Sequence, residues 1–282
     1  MVFDILVNPV SAEKRPWQMF FLGVFFSSVA IILSMTIFKE HSSLVMVFLM
    51  VLASFPIIYN TVKLEEKKDE ATTDYHFLLK EHAKALEVFM FLFVGILISC
   101  TLWFVFLPPA YATSLFSTQA NTITSINSVY IGHVTNTAAF KTILLNNLRV
   151  LSICILFSFI YGVGALFILA WNATVIATAA GTFIRENIAN ISANLGSVSL
   201  AKYFHIFSVG ILKYMTHGVF EILAYFVAAL AGGIISIAVI RHVLGSARFE
   251  KIIFDVSELL ILSLVLLVFS AVVEVFFTPL FF

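Results

Sequence analysis

The chain has 282 residues, of which 61% are hydrophobic and 11% are charged, and its 16 basic residues balance its 16 acidic ones. Ordinary globular domains contain roughly 25% charged residues, and the mean hydropathy of this chain is +1.05. The composition excludes an ordinary soluble domain and indicates an integral membrane protein, and the neutral balance predicts no nucleic-acid partner.

Apolar runs near the length that crosses a bilayer recur along the chain. Because these runs are continuous rather than alternating, they predict transmembrane helices and exclude a transmembrane β-barrel. We therefore expect an all-α, polytopic helical protein with about seven transmembrane helices, multi-pass in the cell membrane. The predicted spans are Trp17–Phe38, Leu44–Tyr59, Leu86–Leu107, Leu148–Ala170, Val198–Tyr214, Val219–Ile240 and Ile252–Phe277.

The first span follows a short basic segment, Glu13-Lys14-Arg15-Pro16-Trp17, and no small-residue cleavage site comes after it. We expect it to be a retained signal anchor. Cys100 and Cys154 both lie in predicted spans, so neither a disulfide framework nor a cysteine zinc site is indicated.

Basic residues in the connections predict the orientation, because cytosolic loops are enriched in Lys and Arg. Lys14 and Arg15 place the N-terminus in the cytosol, and five lysines place the connection 60–85 there as well. The stretch from Val88 to Phe140 has no charged residue and is predicted to reach the extracytoplasmic side. Seven crossings then leave the C-terminus extracytoplasmic.

The same features divide the chain into four regions. Residues 1–107 form an N-terminal three-span region, in which 61–87 is a charged cytosolic helix. Residues 108–140 form a neutral extracytoplasmic loop, opened by Pro108-Pro109. Residues 141–244 form the core, and 245–282 hold the last span. The charges of 61–87 are typical of a solvated helix, with partner docking as the alternative.

Polar residues inside the apolar runs are the candidate site. His217 and Glu221 are four residues apart and therefore share one face of a helix. Asn146-Asn147-Leu148-Arg149 opens another apolar run, and Trp171-Asn172 closes it. Ionisable side chains at membrane depth are costly and usually face the bundle interior. We expect a buried polar cluster of His217, Glu221, Asn147, Asn172 and Arg149, with Glu221, His217 and Asn147 facing one another.

A series of motifs follows in order along the C-terminal half: Asn146-Asn147-Leu148-Arg149-Val150, Gly162-Val163-Gly164, Leu169-Ala170-Trp171-Asn172, His217-Gly218-Val219-Phe220-Glu221 and Ala228–Gly233. This order resembles the stage II sporulation protein M family of integral membrane proteins, over about Phe140–Leu244. The Asn, His and Glu positions of the family pattern are present. Ala165, Ala173 and Thr216 replace its Thr, Gly and Pro, which are residues that shape the backbone.

The resemblance implies an architecture and only a broad function. A family member in spore-forming bacteria works as a membrane scaffold that recruits peptidoglycan-degrading partners during engulfment, and other members accompany circular-bacteriocin production. Many members occur in organisms that do neither.

Three interpretations of His217 and Glu221 stay open at this point. They could form hydrogen bonds that pack helices, bind a ligand, ion or proton, or contribute to a metal site with His205 and Asn172. The full His-Glu-x-x-His signature is absent, so no metal site and no cofactor are predicted. Gly162, Gly164, Gly218, Gly232 and Gly233 are typical of close helix packing.

The sequence contains no complete catalytic motif, and we therefore expect a non-enzymatic protein. The leading hypothesis is a membrane scaffold or coupling component that organises partner proteins, with further copies of the chain as one option for a partner. A transporter or permease of a small ligand, ion or lipid-like substrate is the alternative. An intramembrane peptide-processing enzyme built around His217 and Glu221 is a third hypothesis.

Overall fold

The computed structural model describes residues 8–71, 78–130, 136–161, 165–195, 199–240 and 247–281. These residues are almost entirely helical and include no strand. Seven helical segments are long and apolar enough to cross a membrane: Gln18–Ile37, Lys39–Lys68, His82–Phe106, Asn136–Ile160, Ala165–Ala193, Leu200–Ile240 and Phe249–Phe281. The all-α class and the number of spans are thereby confirmed. A helix satisfies its backbone hydrogen bonds internally, as lipid requires.

We number the helices in chain order. They are α1 Pro9–Lys14, α2 Gln18–Ile37, α3 Ser42–Ala71, α4 Leu78–Phe106, α5 Pro109–Leu115, α6 Ser117–Tyr130, α7 Asn136–Tyr161, α8 Ala165–Leu195, α9 Leu200–Ile240, α10 Ala247–Val272 and α11 Thr278–Phe281. A 3₁₀ turn, Lys39–His41, leads into α3, and a π-helix, Val273–Phe277, joins α10 to α11.

The boundaries of three predicted spans are wrong. Val198–Tyr214 and Val219–Ile240 are parts of one 41-residue helix, α9. A single glycine costs a helix only about 1 kcal/mol, and Gly218 does not interrupt it. Leu148–Ala170 instead combines the end of α7 with the start of α8. The helix that completes the seven is α8, which hydropathy alone did not separate from its neighbour.

Two predicted connections are also different. The segment predicted as a loop, 108–140, contains α5, α6 and the first turn of α7. Four of its hydroxyl side chains donate to carbonyls one turn earlier, which satisfies them within a helix: Thr113, Thr122, Thr124 and Ser125. The charged helix predicted at 61–87 belongs to the ends of α3 and α4, and 72–77 lie outside the described residues.

The centre of the bundle is α9. It packs against α10, α7, α8, α3 and α4, and 78% of its most apolar window is buried, against 28% for the corresponding window of α7. A helix that is apolar on all sides must be surrounded by protein or lipid. Because protein surrounds the second half of α9, Glu221 and Tyr225 there face other helices, whereas the first turns of α9 are exposed.

A close approach of α2 to α4 closes the other side of the bundle. A Cβ added to Gly95 would lie 2.1 Å from the carbonyl oxygen of Phe20, and one added to Gly23 would lie 2.4 Å from that of Leu92. Only glycine permits this separation of the two backbones. The α4 helix also packs against α8, so it connects the first helices to those around α9.

Candidate functional site

A cluster of polar side chains joins α9 to the end of α10, and we call it the core acid cluster. It comprises His217, Glu221 and Tyr225 on α9, Glu274 of the π-helix and Thr278 at the start of α11. The Tyr225 hydroxyl, which is fully buried, donates a 2.8 Å hydrogen bond to Oε1 of Glu221 one turn earlier. Glu221 is half-buried, and its acceptor oxygen is held in place by this bond.

His217 links three elements. Its Nδ1 lies 3.3 Å from Oγ1 of Thr278. Because the Thr278 hydroxyl donates to the Val273 carbonyl at 3.1 Å, its oxygen is free to accept from Nδ1. The backbone carbonyl of His217 accepts from Oγ of Ser270 at 2.9 Å. These bonds attach the middle of α9 to α10 and α11.

The π-helix brings a second carboxylate to the cluster. Glu274 is half-buried and close enough to Glu221 and to Tyr225 to interact with both electrostatically. Single π-turns inside α-helical segments are frequent at functional sites because they alter which side chains face a neighbour. Sequence reasoning missed Glu274. Its signal was available, since it is the one charged residue of 259–282.

Asn147 is buried beside α9 but is not bonded to the acids. It is 5% exposed, its Nδ2 has no hydrogen-bond partner, and its Oδ1 accepts only a 3.4 Å contact from Asn146. Ser158 of α7 packs against Gly232 of α9. On α7, Asn147 precedes Ser158 by the same number of residues as Glu221 precedes Gly232 on α9. The two side chains therefore lie at a similar level of the bundle. Among the described residues, no hydrogen bond joins Glu221 to Asn147 or to His217.

Other predicted members lie outside the core acid cluster. The Arg149 side chain is exposed, because two residues along a helix from Asn147 is nearly its opposite face. It was wrongly included in the buried cluster. Asn172 is half-buried, and its Nδ2 donates to the Ile168 carbonyl of its own helix at 2.9 Å. His205, suggested as a metal ligand, is exposed.

The predicted packing glycines differ from one another. A Cβ on Gly232 would lie 2.8 Å from Cβ of Ser158, so this glycine does permit close packing of α9 on α7. A Cβ on Gly218 would meet nothing within 4 Å, and its predicted packing role is wrong. Gly233 is buried in α9, while Gly162 and Gly164 lie outside the described residues.

A second charged group, which we call the helix-end cluster, ties α1 to α3 and α4. Lys68 Nζ donates to both Glu13 oxygens at 2.9 and 2.8 Å and to Glu65 Oε1 at 2.5 Å. The other Glu65 oxygen lies 2.5 Å from Nδ1 of His82. Glu65 and His82 are fully buried. The prediction that 61–87 is only a solvated helix is wrong for these residues, whose burial depends on α1 covering them.

Glu13 lies outside the membrane-spanning segments, and its ionisation is altered by this packing. Burial, followed by its hydrogen bond with Glu65, raises the pKa of Glu13 to about 7, although Lys68 acts in the opposite direction. The Glu13 carboxyl therefore titrates near neutral pH and can share a proton with Glu65.

In the described part of the chain, no three His, Cys, Asp or Glu side chains are placed to hold a metal ion.

This chain is similar to known proteins. An uncharacterized protein of Methanocaldococcus jannaschii is 29% identical over 144 residues, which are 50% of this chain and 71% of that protein. No solved structure matches. The model of the family described as stage II sporulation protein M matches residues 88–279, a longer region than the motifs alone indicated. The predicted resemblance is confirmed, and this chain belongs to the stage II sporulation protein M family.

Proposed function

We propose that this protein is a non-enzymatic membrane coupling component. Its helical core organises partner proteins in the bilayer, and the core acid cluster controls the packing of the last helices on that core. The observation that supports the proposal is that Glu274 of the π-helix, which packs against α9, interacts electrostatically with Glu221. No described Lys or Arg pairs with either carboxylate.

Charge is costly inside an apolar bundle. An isolated carboxylate is very costly to remove from water, and ionisable groups within membrane segments are normally neutralised by a partner. Two adjacent carboxylates without a basic partner therefore require a proton or a cation. Gain or loss of that positive charge changes the repulsion between α9 and the π-helix, and hence the packing of α10 and α11.

The number of spans and the basic residues before the first span indicate the orientation of the chain. We infer that the N-terminus is cytosolic and the C-terminus extracytoplasmic, with the protein in the cell membrane. Seven spans put the two ends on opposite sides, and Lys14 and Arg15 favour the cytosol for the first. Single cysteines introduced at residues 10 and 280 should react with an impermeant thiol reagent from opposite sides of sealed vesicles.

Partner organisation can be tested with paired variants. The tagged protein would be expressed in its native membrane, crosslinked, and its co-purifying partners quantified. We expect Glu221→Gln combined with Glu274→Gln to fold but to change the recovered partner set. Glu258→Gln is the control, because it replaces an exposed carboxyl group on α10, and it should leave the partner set unchanged. A protein recovered without partners under every crosslinking condition would contradict the proposal.

Proton- or cation-coupled transport is the second candidate. It is favoured by the partial exposure of His217, Glu221 and Glu274, whose side chains are half-buried rather than sealed. In proteoliposomes, a pH-sensitive dye would report a proton flux that the double Gln variant lacks. A flux that depends on Glu221 and Glu274 supports transport. If the partners are recovered but no proton or cation flux is seen under any tested gradient, the protein organises partners and does not transport.

A further inference from the structure

An open cavity of about 290 Å³ lies at one end of the bundle, where α2 ends and α3 begins, and α5 lines its other side. Its lining residues are Met35, Lys39, Ser42, Ala110, Tyr111, Ser114 and Leu115. Its volume approaches that of small-ligand pockets, roughly 300–1,000 Å³. It is separate from the core acid cluster, which involves α9, α10 and α11.

The lining is chemically suited to an anion. Lys39 provides the positive charge, and Ser42, Tyr111 and Ser114 provide three hydroxyl groups. No acid lines the cavity; Glu40, next to Lys39, is exposed and is not part of the wall. A Lys ammonium surrounded by hydroxyl donors is a common way to bind phosphate oxygens.

Ser42 shows that the site has an unused donor. Its side chain is 4% exposed, yet it forms no side-chain hydrogen bond with another described residue. The adjacent Ser43, equally buried, donates to Gln119 at 2.7 Å. Buried hydroxyls normally have partners, so the Ser42 hydroxyl, on the wall of a cavity, is placed to bond with a ligand atom.

The position of the cavity indicates the source of the anion. It lies where one candidate span ends and the next begins, and the nearby segments of α2 and α3 carry the exposed apolar side chains of Ile37, Phe38, Leu44 and Phe48. The ammonium of a Lys near the end of a membrane helix extends to the interface, where lipid headgroups lie. We infer that this cavity binds the phosphate group of a phospholipid, with the acyl chains lying along the exposed apolar side chains of α2 and α3.

The test uses the intact protein in detergent. Native mass spectrometry would follow titration with dioleoylphosphatidylglycerol and with dioleoylglycerol, which has the same chains and no phosphate. We expect one preferred phosphatidylglycerol site, weakened roughly tenfold by Lys39→Ala and further by Ser42→Ala. Lys141→Ala is the matched control because Lys141 is exposed elsewhere, at the start of α7, and it should not change the affinity.

A competition arm identifies the source of the phosphate. If millimolar sn-glycerol 3-phosphate binds with the same dependence on Lys39 while the lipid does not, the site belongs to a soluble phosphate ester. Equal binding of dioleoylglycerol would overturn the phosphate assignment, as would Lys39→Ala binding phosphatidylglycerol as tightly as the unaltered protein. Thermal unfolding of each variant confirms folding, and the exposed Lys39 should be replaceable without loss of stability.

Discussion

The helix-end cluster and the core acid cluster contain similar residues in opposite electrostatic settings. In the first, Lys68 bridges Glu13 and Glu65, and His82 lies against the second oxygen of Glu65. In the second, the one described donor to Glu221 is an uncharged tyrosine, and Glu274 interacts with that same carboxylate. The first arrangement satisfies its charges within the protein, whereas the second leaves them to be neutralised from outside.

This difference separates a structural role from a functional one. Removing one member of a satisfied buried pair strands the others and destabilises the fold. Neutralising a carboxylate that has no basic partner removes an electrostatic cost and strands nothing. Stability measurements on matched variants therefore distinguish the two clusters directly.

The largest effect is expected for Glu65→Leu. This change removes the acceptor of both the Lys68 ammonium and the His82 ring, and we expect the free energy of unfolding to fall by about 3–5 kcal/mol. Denaturant titration in detergent would measure it.

Glu87→Leu is the control for Glu65→Leu. Glu87 pairs with Lys84 on the surface of α4, where the side chains are 41% and 55% exposed. Exposed pairs contribute about 0–1 kcal/mol. Equal losses for the two variants would show that burial of the helix-end cluster has no special importance.

Glu221 should respond differently to two substitutions. Glu221→Gln keeps an oxygen to accept from Tyr225, so stability should stay within about 1 kcal/mol of the unaltered protein. Glu221→Leu strands the buried Tyr225 hydroxyl and should cost about 1–3 kcal/mol. Thermal unfolding of both variants provides the measurement. If Glu221→Gln were the more damaging of the two, a satisfied charge rather than an unpaired one would be indicated.

The docking of α1 should depend on pH through Glu13. Burial raises the pKa of Glu13 to about 7 in the folded protein from an ordinary 4.5, so the folded state holds more protons than the unfolded state between these values. The stabilisation is complete below about pH 4.5 and is lost as the pH rises through 7. Amide exchange in α1 should accelerate over this range, by at most about tenfold per pH unit.

Glu13→Gln provides the comparison for this titration. The amide cannot ionise, so the part of the pH dependence that belongs to Glu13 should disappear after correction for intrinsic exchange. An unchanged pH profile would assign the titration to another group.

The predicted number of spans agrees with the structure because two errors compensate: α9 was divided into two spans, and the end of α7 was joined to the start of α8 as one span. Hydropathy misplaced the boundaries around α9, where Lys202, His205 and Lys213 interrupt the apolar run although the helix continues. Lys213 can lie within a helix because its ammonium packs 5.0 Å above the ring centre of Phe183 on α8. That contact depends on tertiary structure and cannot be read from one segment.

The candidate site was predicted only in part for the same reason. Spacing placed His217 and Glu221 on α9 but could not identify Thr278 and Tyr225 as their partners. The position of Glu274 beside these residues depends on the π-helix, which no sequence pattern predicted. Burial of Glu65 and His82 depends on the packing of α1 against α3 and α4, so a charge run that resembles a solvated helix became part of the interior.

The smallest expected effect concerns the bond between His217 and Thr278, which tests whether the core acid cluster also holds α9 to α11. A double-mutant cycle of His217→Ala and Thr278→Val should give a coupling energy of about 0.6 kcal/mol, the average for interhelical polar pairs in membranes. Thr36→Val is the control partner, because Thr36 bonds only to carbonyls of its own helix and should show no coupling to His217. A coupling energy as large as the loss expected for Glu65→Leu would mean that the core acid cluster, like the helix-end cluster, has a structural role. A coupling energy near zero would mean that the ring of His217 does not hold α11. The bond from Ser270 to the His217 carbonyl would then be what attaches α10 to α9, and the ring would act on the neighbouring acids instead.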